Sequence, residues 1–340
     1  MIIKRSRSAL QSRRPSLTGL LYGVLFSPVL IYAFYWGNRD FNVGSDTVTY
    51  VALFRAYLLR SPGLLSTGDP GFLALMGAVE TFTHNPSALL LAFCVLIALF
   101  FYVAGVLVIK KAQYILLYVV LLLISPYYLS ININILRHGL TTAIAIFLMA
   151  LVLSYRNILL KLATFYVPTL FHSVGGLIVL PMIWGTKKMF PLVFWVPAAL
   201  ISAFSELYAP LFSQFIPSDY GTYVTVNAGY RTGFRPDFIL FSAIPLLFTL
   251  IVPYGKMSVE TRWVLNAYLL MNGFGHLMNF VSYSDRFLTS SWTLLPLLVA
   301  LMVKDINDRA FKKSQNKKFF SIIIIAGTLV VNSFFYLRGV

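Results

Sequence analysis

Long uncharged, apolar runs recur from one end of the chain to the other, separated by short polar segments. A helix needs about 20 apolar residues to cross the hydrocarbon of a bilayer. Runs of that order lie at residues 17–36, 87–109, 113–129, 139–154, 190–208, 237–254, 262–281, 287–303 and 319–337. The pattern predicts an all-α, polytopic integral membrane protein with roughly nine full transmembrane helices, organised as a single membrane domain over residues 1–340.

Two further apolar stretches are too short or too broken for ordinary spans. Residues 71–83 hold one short run, and 158–185 is interrupted by Pro168, His172, Gly175, Gly176 and Pro181. Irregular backbone survives at membrane depth only where protein or a water-filled cavity satisfies its polar groups. Both stretches are therefore expected to be short or re-entrant segments, with His172 near the tip of the second; two short, tilted spans are the alternative.

Composition agrees. Apolar residues make up 59% of the chain and charged residues 11%, with a mean hydropathy of +0.79; a soluble domain of this length carries far more charge. Loops rich in Lys and Arg stay cytoplasmic, which places the basic N-terminus (residues 1–16) and the basic loop 304–318 inside, and the loops 38–86 and 210–236 on the outer face. The inside then holds nineteen Lys and Arg against Glu260, Asp305 and Asp308, which is the whole net charge of +16. A pI near 9.9 is thus a topology signal and not a nucleic-acid footprint. The first run has no clear small-residue cleavage site and reads as a retained anchor. The single cysteine, Cys94, supports neither a disulfide framework nor a metal cluster.

All twelve lysines fall inside, whereas the eight basic residues left outside are all arginines: Arg39, Arg55, Arg60, Arg137, Arg231, Arg235, Arg286 and Arg338. Guanidinium stays charged at any biological pH and grips phosphate with two parallel hydrogen bonds, which an ammonium cannot do. An anionic lipid headgroup or pyrophosphate is the matching ligand. Arg137 and Arg286 each open a span from a polar cluster, and Arg231 and Arg235 flank Gly233 in the longest outer loop. For each arginine alone, a headgroup anchor or an ion pair with a nearby Asp is the competing role.

Ordered along the chain are Arg39-Asp40-Phe41-Asn42-Val43-Gly44-Ser45-Asp46-Thr47 with Tyr50, Gly68-Asp69-Pro70-Gly71-Phe72, Asn134-Ile135-Leu136-Arg137-His138-Gly139, Phe171-His172-Ser173, Gly233-Phe234-Arg235-Pro236-Asp237-Phe238, and Ser284-Asp285-Arg286-Phe287 followed by Ser291-Trp292 and Pro296. In this order they resemble the EpsG family of bacterial polysaccharide polymerases, relatives of Wzy-type O-antigen polymerases, over roughly residues 35–305. Two positions depart from the family's usual pattern: His138 stands where Gln is common, and Asp285 where Asn is usual.

The resemblance implies a glycosyltransferase of the bacterial inner membrane, working on its periplasmic face. It would polymerise undecaprenyl-pyrophosphate-linked repeat units of an O antigen or exopolysaccharide, with lipid-linked glycans as both donor and acceptor. Membrane lipids are the other expected partner, a chain-length regulator protein is implied by the family alone, and nucleic acid is not expected. Such chemistry needs a stabilised leaving pyrophosphate and a base for the acceptor hydroxyl. Arg137, Arg286, Arg231, Arg235 and Arg39 are the candidate pyrophosphate ligands; His172, Asp46 and Asp69 the candidate catalytic groups; His138, Asp237, Asp285 and Tyr230 the candidate substrate contacts. Asp46 could equally be an ion-pair partner, Asp69 a helix cap and His172 a structural hydrogen bonder. No cofactor is expected, and His84, His138, His172 and His276 lack metal-ligand spacing.

An O-antigen ligase would need the same pyrophosphate contacts, and a lipid-linked oligosaccharide flippase or other transporter would share the polytopic, arginine-bearing character. A transporter predicts charges near mid-span and a two-half repeat, neither of which is apparent. The topology has its own test: a cysteine introduced between Pro210 and Pro236 should react with an impermeant maleimide added to intact spheroplasts. Protection until the membrane is permeabilised would place that loop in the cytoplasm.

Overall fold

The computed structural model describes residues 17–67, 69–155, 157–172, 190–214, 232–311 and 313–337, and among them all regular structure is helical. Six helices are long and apolar enough to cross a membrane: Gly19–Gly37, Pro86–Ile109, Leu136–Tyr155, Leu192–Phe212, Asp285–Ala310 and Ser314–Tyr336; one bent helix pair makes a possible seventh. The chain is therefore an all-helical, multi-pass membrane protein, with six or seven such spans among the described residues against the roughly nine that the hydropathy pattern predicts.

The difference lies in three stretches. Residues 113–129 belong to two helices, α6 (Ala112–Leu123) and α7 (Pro126–Ile133), which meet at 63°. Pro126 cannot donate into the ladder of the preceding helix, and Ser125 restarts the chain by accepting a hydrogen bond from the Tyr128 N–H. Residues 237–254 hold two short helices, α12 (Pro236–Ser242) and α13 (Ile244–Ile251), with Pro245 opening the second. Residues 262–281 lie largely in α14 (Val259–Leu277), which is long enough but carries Asn266, Asn272 and His276 on buried positions.

The remaining elements are α1 (Leu17–Gly37), α2 (Thr47–Leu58), α3 (Pro62–Thr67), α4 (Pro70–Glu80), α5 (Pro86–Ile109), α8 (Leu136–Tyr155), α9 (Ile158–Tyr166), α10 (Phe190–Ile201), α11 (Ser205–Ser213), α15 (Asp285–Trp292), α16 (Leu295–Asp305) and α17 (Ser314–Leu337). Helix α5 packs along α8 and α1, α14 packs along α10 and α15, and α16 joins the two groups by lying against α6 and α14. Apolar residues of both groups form one core, in which Trp292 is fully buried between Tyr127, Phe238 and Phe241.

Polar groups inside that core are paired. Asn272 donates to Ser242 Oγ and Ser291 Oγ, both at 2.9 Å, and accepts from Trp195 Nε1 at 2.7 Å. Trp292 Nε1 donates to Ser242 Oγ at 3.0 Å. In a site without water each such group left alone costs several kcal/mol, so this network dictates how α10, α12, α14 and α15 meet. At the far end of α5, Lys111 pairs with Asp308 at 2.8 Å, and the buried Asp305 caps α14 by accepting from the Ser258 N–H at 2.8 Å and from Thr261 Oγ1 at 2.5 Å.

The stretch 71–83 is the short helix α4. The stretch 158–185 begins with α9 and a 3-10 turn, Pro168–Leu170, which delivers His172 to the N-terminal end of α4; residues 173–189, where a return leg would run, lie outside the described residues.

Helices α7 and α8 turn back on each other so closely that a Cβ on Gly139 would stand 2.6 Å from the Ile131 carbonyl oxygen. Backbone cannot give way as a side chain can, so Gly139→Ala should destabilise the protein by about 1–3 kcal/mol. The check is the unfolding midpoint of the purified protein in detergent, and an unchanged midpoint would mean that the turn is not close-packed.

Candidate functional site

Four helix starts converge at the end of the molecule where α1 finishes and α5 begins. Asp46 directly precedes α2, Asp69 directly precedes α4, Arg137 stands in the first turn of α8 and Arg286 in the first turn of α15. Arg137 Nη2 is ion-paired with Asp69 Oδ2, and Arg286 Nη2 with Asp46 Oδ2 at 3.3 Å. The Arg137 backbone N–H donates to the Tyr50 hydroxyl at 3.2 Å. Asp46 and Tyr50 are four residues apart and so share a face of α2; that face holds both arginine-bearing helices.

The sequence makes these approaches possible. Asn134 Oδ1 accepts from the Ser45 N–H at 3.1 Å and ties the loop before α2 to the end of α7. Gly71 lets α4 lie against the 3-10 turn, since a Cβ there would meet the Leu170 carbonyl oxygen at 2.9 Å. His172 Nδ1 consequently lies 4.0 Å from Asp69 Oδ2, too far for a hydrogen bond, and is buried with no hydrogen-bond partner among the described residues. Aromatic faces support the cations: Arg137 lies 4.9 Å from the Phe72 ring centroid and Arg286 4.8 Å from that of Tyr283. Both guanidiniums keep access to a ligand, with side-chain exposures of 28% and 33%.

Burial lowers the His172 pKa to about 4, and the positive charges of Arg137 and Arg286 add to the effect. The ring is therefore neutral at pH 7, able to accept a proton but weakly basic.

Other expected site residues sit differently. Arg39 is a structural staple: it is 8% exposed, and its guanidinium donates to the carbonyl oxygens of Trp36 (2.7 Å), Val43 (3.3 Å), Asn132 (3.1 Å) and Ile133 (2.9 Å) and to Thr47 Oγ1 (3.0 Å). Those bonds occupy the groups that an anion would need. Arg235 and Asp237 are paired through two bonds, 3.0 and 2.8 Å, with the guanidinium 3.7 Å from the Phe238 ring centroid, and that pairing is the main cause holding the Asp237 carboxyl below its usual range. Asp285 is the first residue of α15, next to Arg286. His138 is buried, with Nε2 directed at Ser290 Oγ. Arg231 and Tyr230 lie outside the described residues. Among the described residues no group of three or more His, Cys, Asp or Glu side chains stands close enough to hold a metal ion.

Three contributors were not singled out in the sequence as site residues: Phe72, Ser290 and the Tyr50 hydroxyl. Tyr50 had a local signal in its i, i+4 relation to Asp46; Ser290, 152 residues from His138, had none.

This fold and site define a class: a multi-pass helical membrane protein with a half-exposed cluster of paired arginines, carboxylates and a neutral histidine gathered from distant loops. Residues 23–338, nearly the whole chain, match the EpsG family, and the chain belongs to that family. EpsG is a family of Wzy-like polymerases, so membership gives the protein a polysaccharide-polymerase type of function, carried out as a glycosyltransferase-like membrane enzyme. No curated protein and no solved structure matches the chain.

Arg39→Ala separates scaffold from ligand contact. It orphans the Trp36, Asn132 and Ile133 carbonyls, each at about 1–3 kcal/mol if left without a partner, and should reduce the amount of folded protein in membranes and lower its unfolding midpoint. Normal abundance and midpoint would show that the staple is dispensable.

Proposed function

We propose that the protein polymerises undecaprenyl-pyrophosphate-linked oligosaccharide repeat units on the periplasmic face of the inner membrane, with its N-terminus cytoplasmic. The carrying observation is that Arg137 and Arg286, more than 140 residues apart in sequence, are brought to one cluster beside His172. Two guanidiniums beside a lipid-accessible bundle suit a diphosphate whose isoprenoid tail stays in the bilayer.

In the reaction, a hydroxyl oxygen of the acceptor repeat unit attacks the anomeric carbon of the donor glycan. The new glycosidic bond forms as the bond from that carbon to the pyrophosphate oxygen breaks. Arg137 and Arg286 take up the negative charge that develops on the leaving group. The hydroxyl proton goes to His172, the partly exposed neutral imidazole beside Asp69. Binding of the donor prepares this base: the diphosphate screens the two guanidiniums, and drawing Arg137 away from Asp69 frees that carboxylate to approach His172 Nδ1. Both changes favour imidazolium and raise the pKa from about 4. Asp46 and Asp69 are thus positioning partners of Arg286 and His172. Arg235, Asp237 and Asp285 are assigned to the sugar-binding margin, and the proposed step uses no metal or other cofactor. A chain-length regulator is a proposed protein partner.

The test is the surface polysaccharide ladder of a deletion strain complemented with variants. Arg137→Ala and Arg286→Ala should abolish polymer at normal protein level, leaving at most a single repeat unit on the acceptor, and the Lys variants should restore only a small part because an ammonium cannot bind phosphate through two parallel hydrogen bonds. Full ladders in the Lys variants would rule out that contact. Accumulation of lipid-linked polymer with no transfer to the cell surface would instead identify a ligase. His172→Ala should lower polymer yield at least tenfold, on the order of what a general base contributes; a mild defect would return His172 to a structural role.

A further inference from the structure

The two arginines can share one diphosphate only if α8 and α15 are held at a fixed separation. Arg137 is followed directly by His138, whose buried ring lies edge-on to that of His172, with centroids 6.1 Å apart. His138 Nε2 meets Ser290 Oγ at 2.7 Å, and Ser290 Oγ meets Thr142 Oγ1 at 2.8 Å. His138 and Thr142 are one turn apart on α8, as Arg286 and Ser290 are on α15. The contact is therefore a two-rung tie between the turns that carry the arginines. Ser290 and Thr142 are fully buried and His138 is 5% exposed, so water does not compete for these bonds.

Resting on the diphosphate reading above, we propose that His138, Ser290 and Thr142 form a positioning device that fixes the spacing of Arg137 and Arg286, and so makes the site selective for a diphosphate over a monophosphate carrier. A monophosphate is satisfied by one arginine and does not sense the spacing. A diphosphate bridges both and does. In this assignment His138 is a hydrogen-bonding strut and handles no proton, so a glutamine amide, which can both donate and accept at similar reach, replaces it.

The experiment uses the full-length protein in detergent with two soluble probes, farnesyl diphosphate and farnesyl monophosphate, titrated by calorimetry. The unmodified protein should bind the diphosphate at least tenfold more tightly. Ser290→Ala and His138→Ala should reduce that preference about tenfold, through the diphosphate affinity alone, while monophosphate affinity stays within about twofold. His138→Gln should keep the preference. Equal loss of both affinities in Ser290→Ala would indicate general unfolding of the site and overturn the proposal, as would a full preference in both alanine variants. Loss of the preference in His138→Gln would overturn the strut role of the imidazole. If the unmodified protein itself shows no preference, the diphosphate reading fails first, a result that none of the variants can mimic.

Discussion

A guanidinium inside a membrane protein must be paired, hydrated or bound, because the bilayer offers it nothing. In this chain that demand organises one end of the bundle. Asp46 and Asp69 each stand immediately before a helix and meet an arginine in the first turn of another, so two ion pairs join α2 to α15 and α4 to α8. Tyr50 then bonds the backbone of Arg137 from the same face of α2 that presents Asp46. The pairs cross sequence separations of 68 and 240 residues, which makes the cluster a product of the whole fold.

The buried polar groups follow one rule in different ways. Arg39 spends its donors on the carbonyls of Asn132 and Ile133 at the C-terminal end of α7 and of Trp36 at the end of α1, where helix termini leave backbone oxygens without intrahelical partners. Asn272 spends its amide on serine and tryptophan side chains from three other helices. Both residues remove a penalty and in doing so fix a geometry. The arginines at the site differ in one respect: each remains about one third exposed, so a carboxylate partner can be exchanged for a ligand. Exposure, and not residue type, separates the scaffold arginine from the two that suit an anion.

That distinction explains how much of the molecule was legible in the sequence. Apolar run length located all six long spans, since hydrocarbon thickness leaves little choice. It expects full spans where the described residues hold shorter or broken helices, as at Pro126 and Pro245, because hydropathy registers neither the 63° bend at Pro126 nor the break before Pro245. Within the site, Arg137, Arg286, Asp46, Asp69 and His172 were legible as rare polar residues at the margins of apolar runs, and the structure brings these five together. Arg39 looked the same in sequence, yet its role depends on carbonyls 93 and 94 residues away. Ser290 and Thr142 carried no signal at all, because a hydroxyl in a helix is polar, buried or bridging only according to what faces it.

The charges of the cluster are balanced: two cations meet two carboxylates, and the nearby imidazole is neutral. In the proposed reaction a diphosphate competes with Asp46 and Asp69 for the same donors. Phosphate is favoured in that exchange because it spreads more charge over more acceptor oxygens in a geometry the guanidinium fork fits, and the exchange would leave a carboxylate 4.0 Å from His172 Nδ1 with no cation to hold it. A carboxylate that orients an imidazole and stabilises its charged form turns a weak base into an effective one. In that proposal Asp69 serves in sequence as keeper of Arg137 and as partner of His172, and the arrival of the donor is the switch between the two. On the proposed reading, such an arrangement would suppress proton abstraction until a leaving group is in place and so protect both lipid-linked substrates from unproductive hydrolysis at a water-exposed membrane surface.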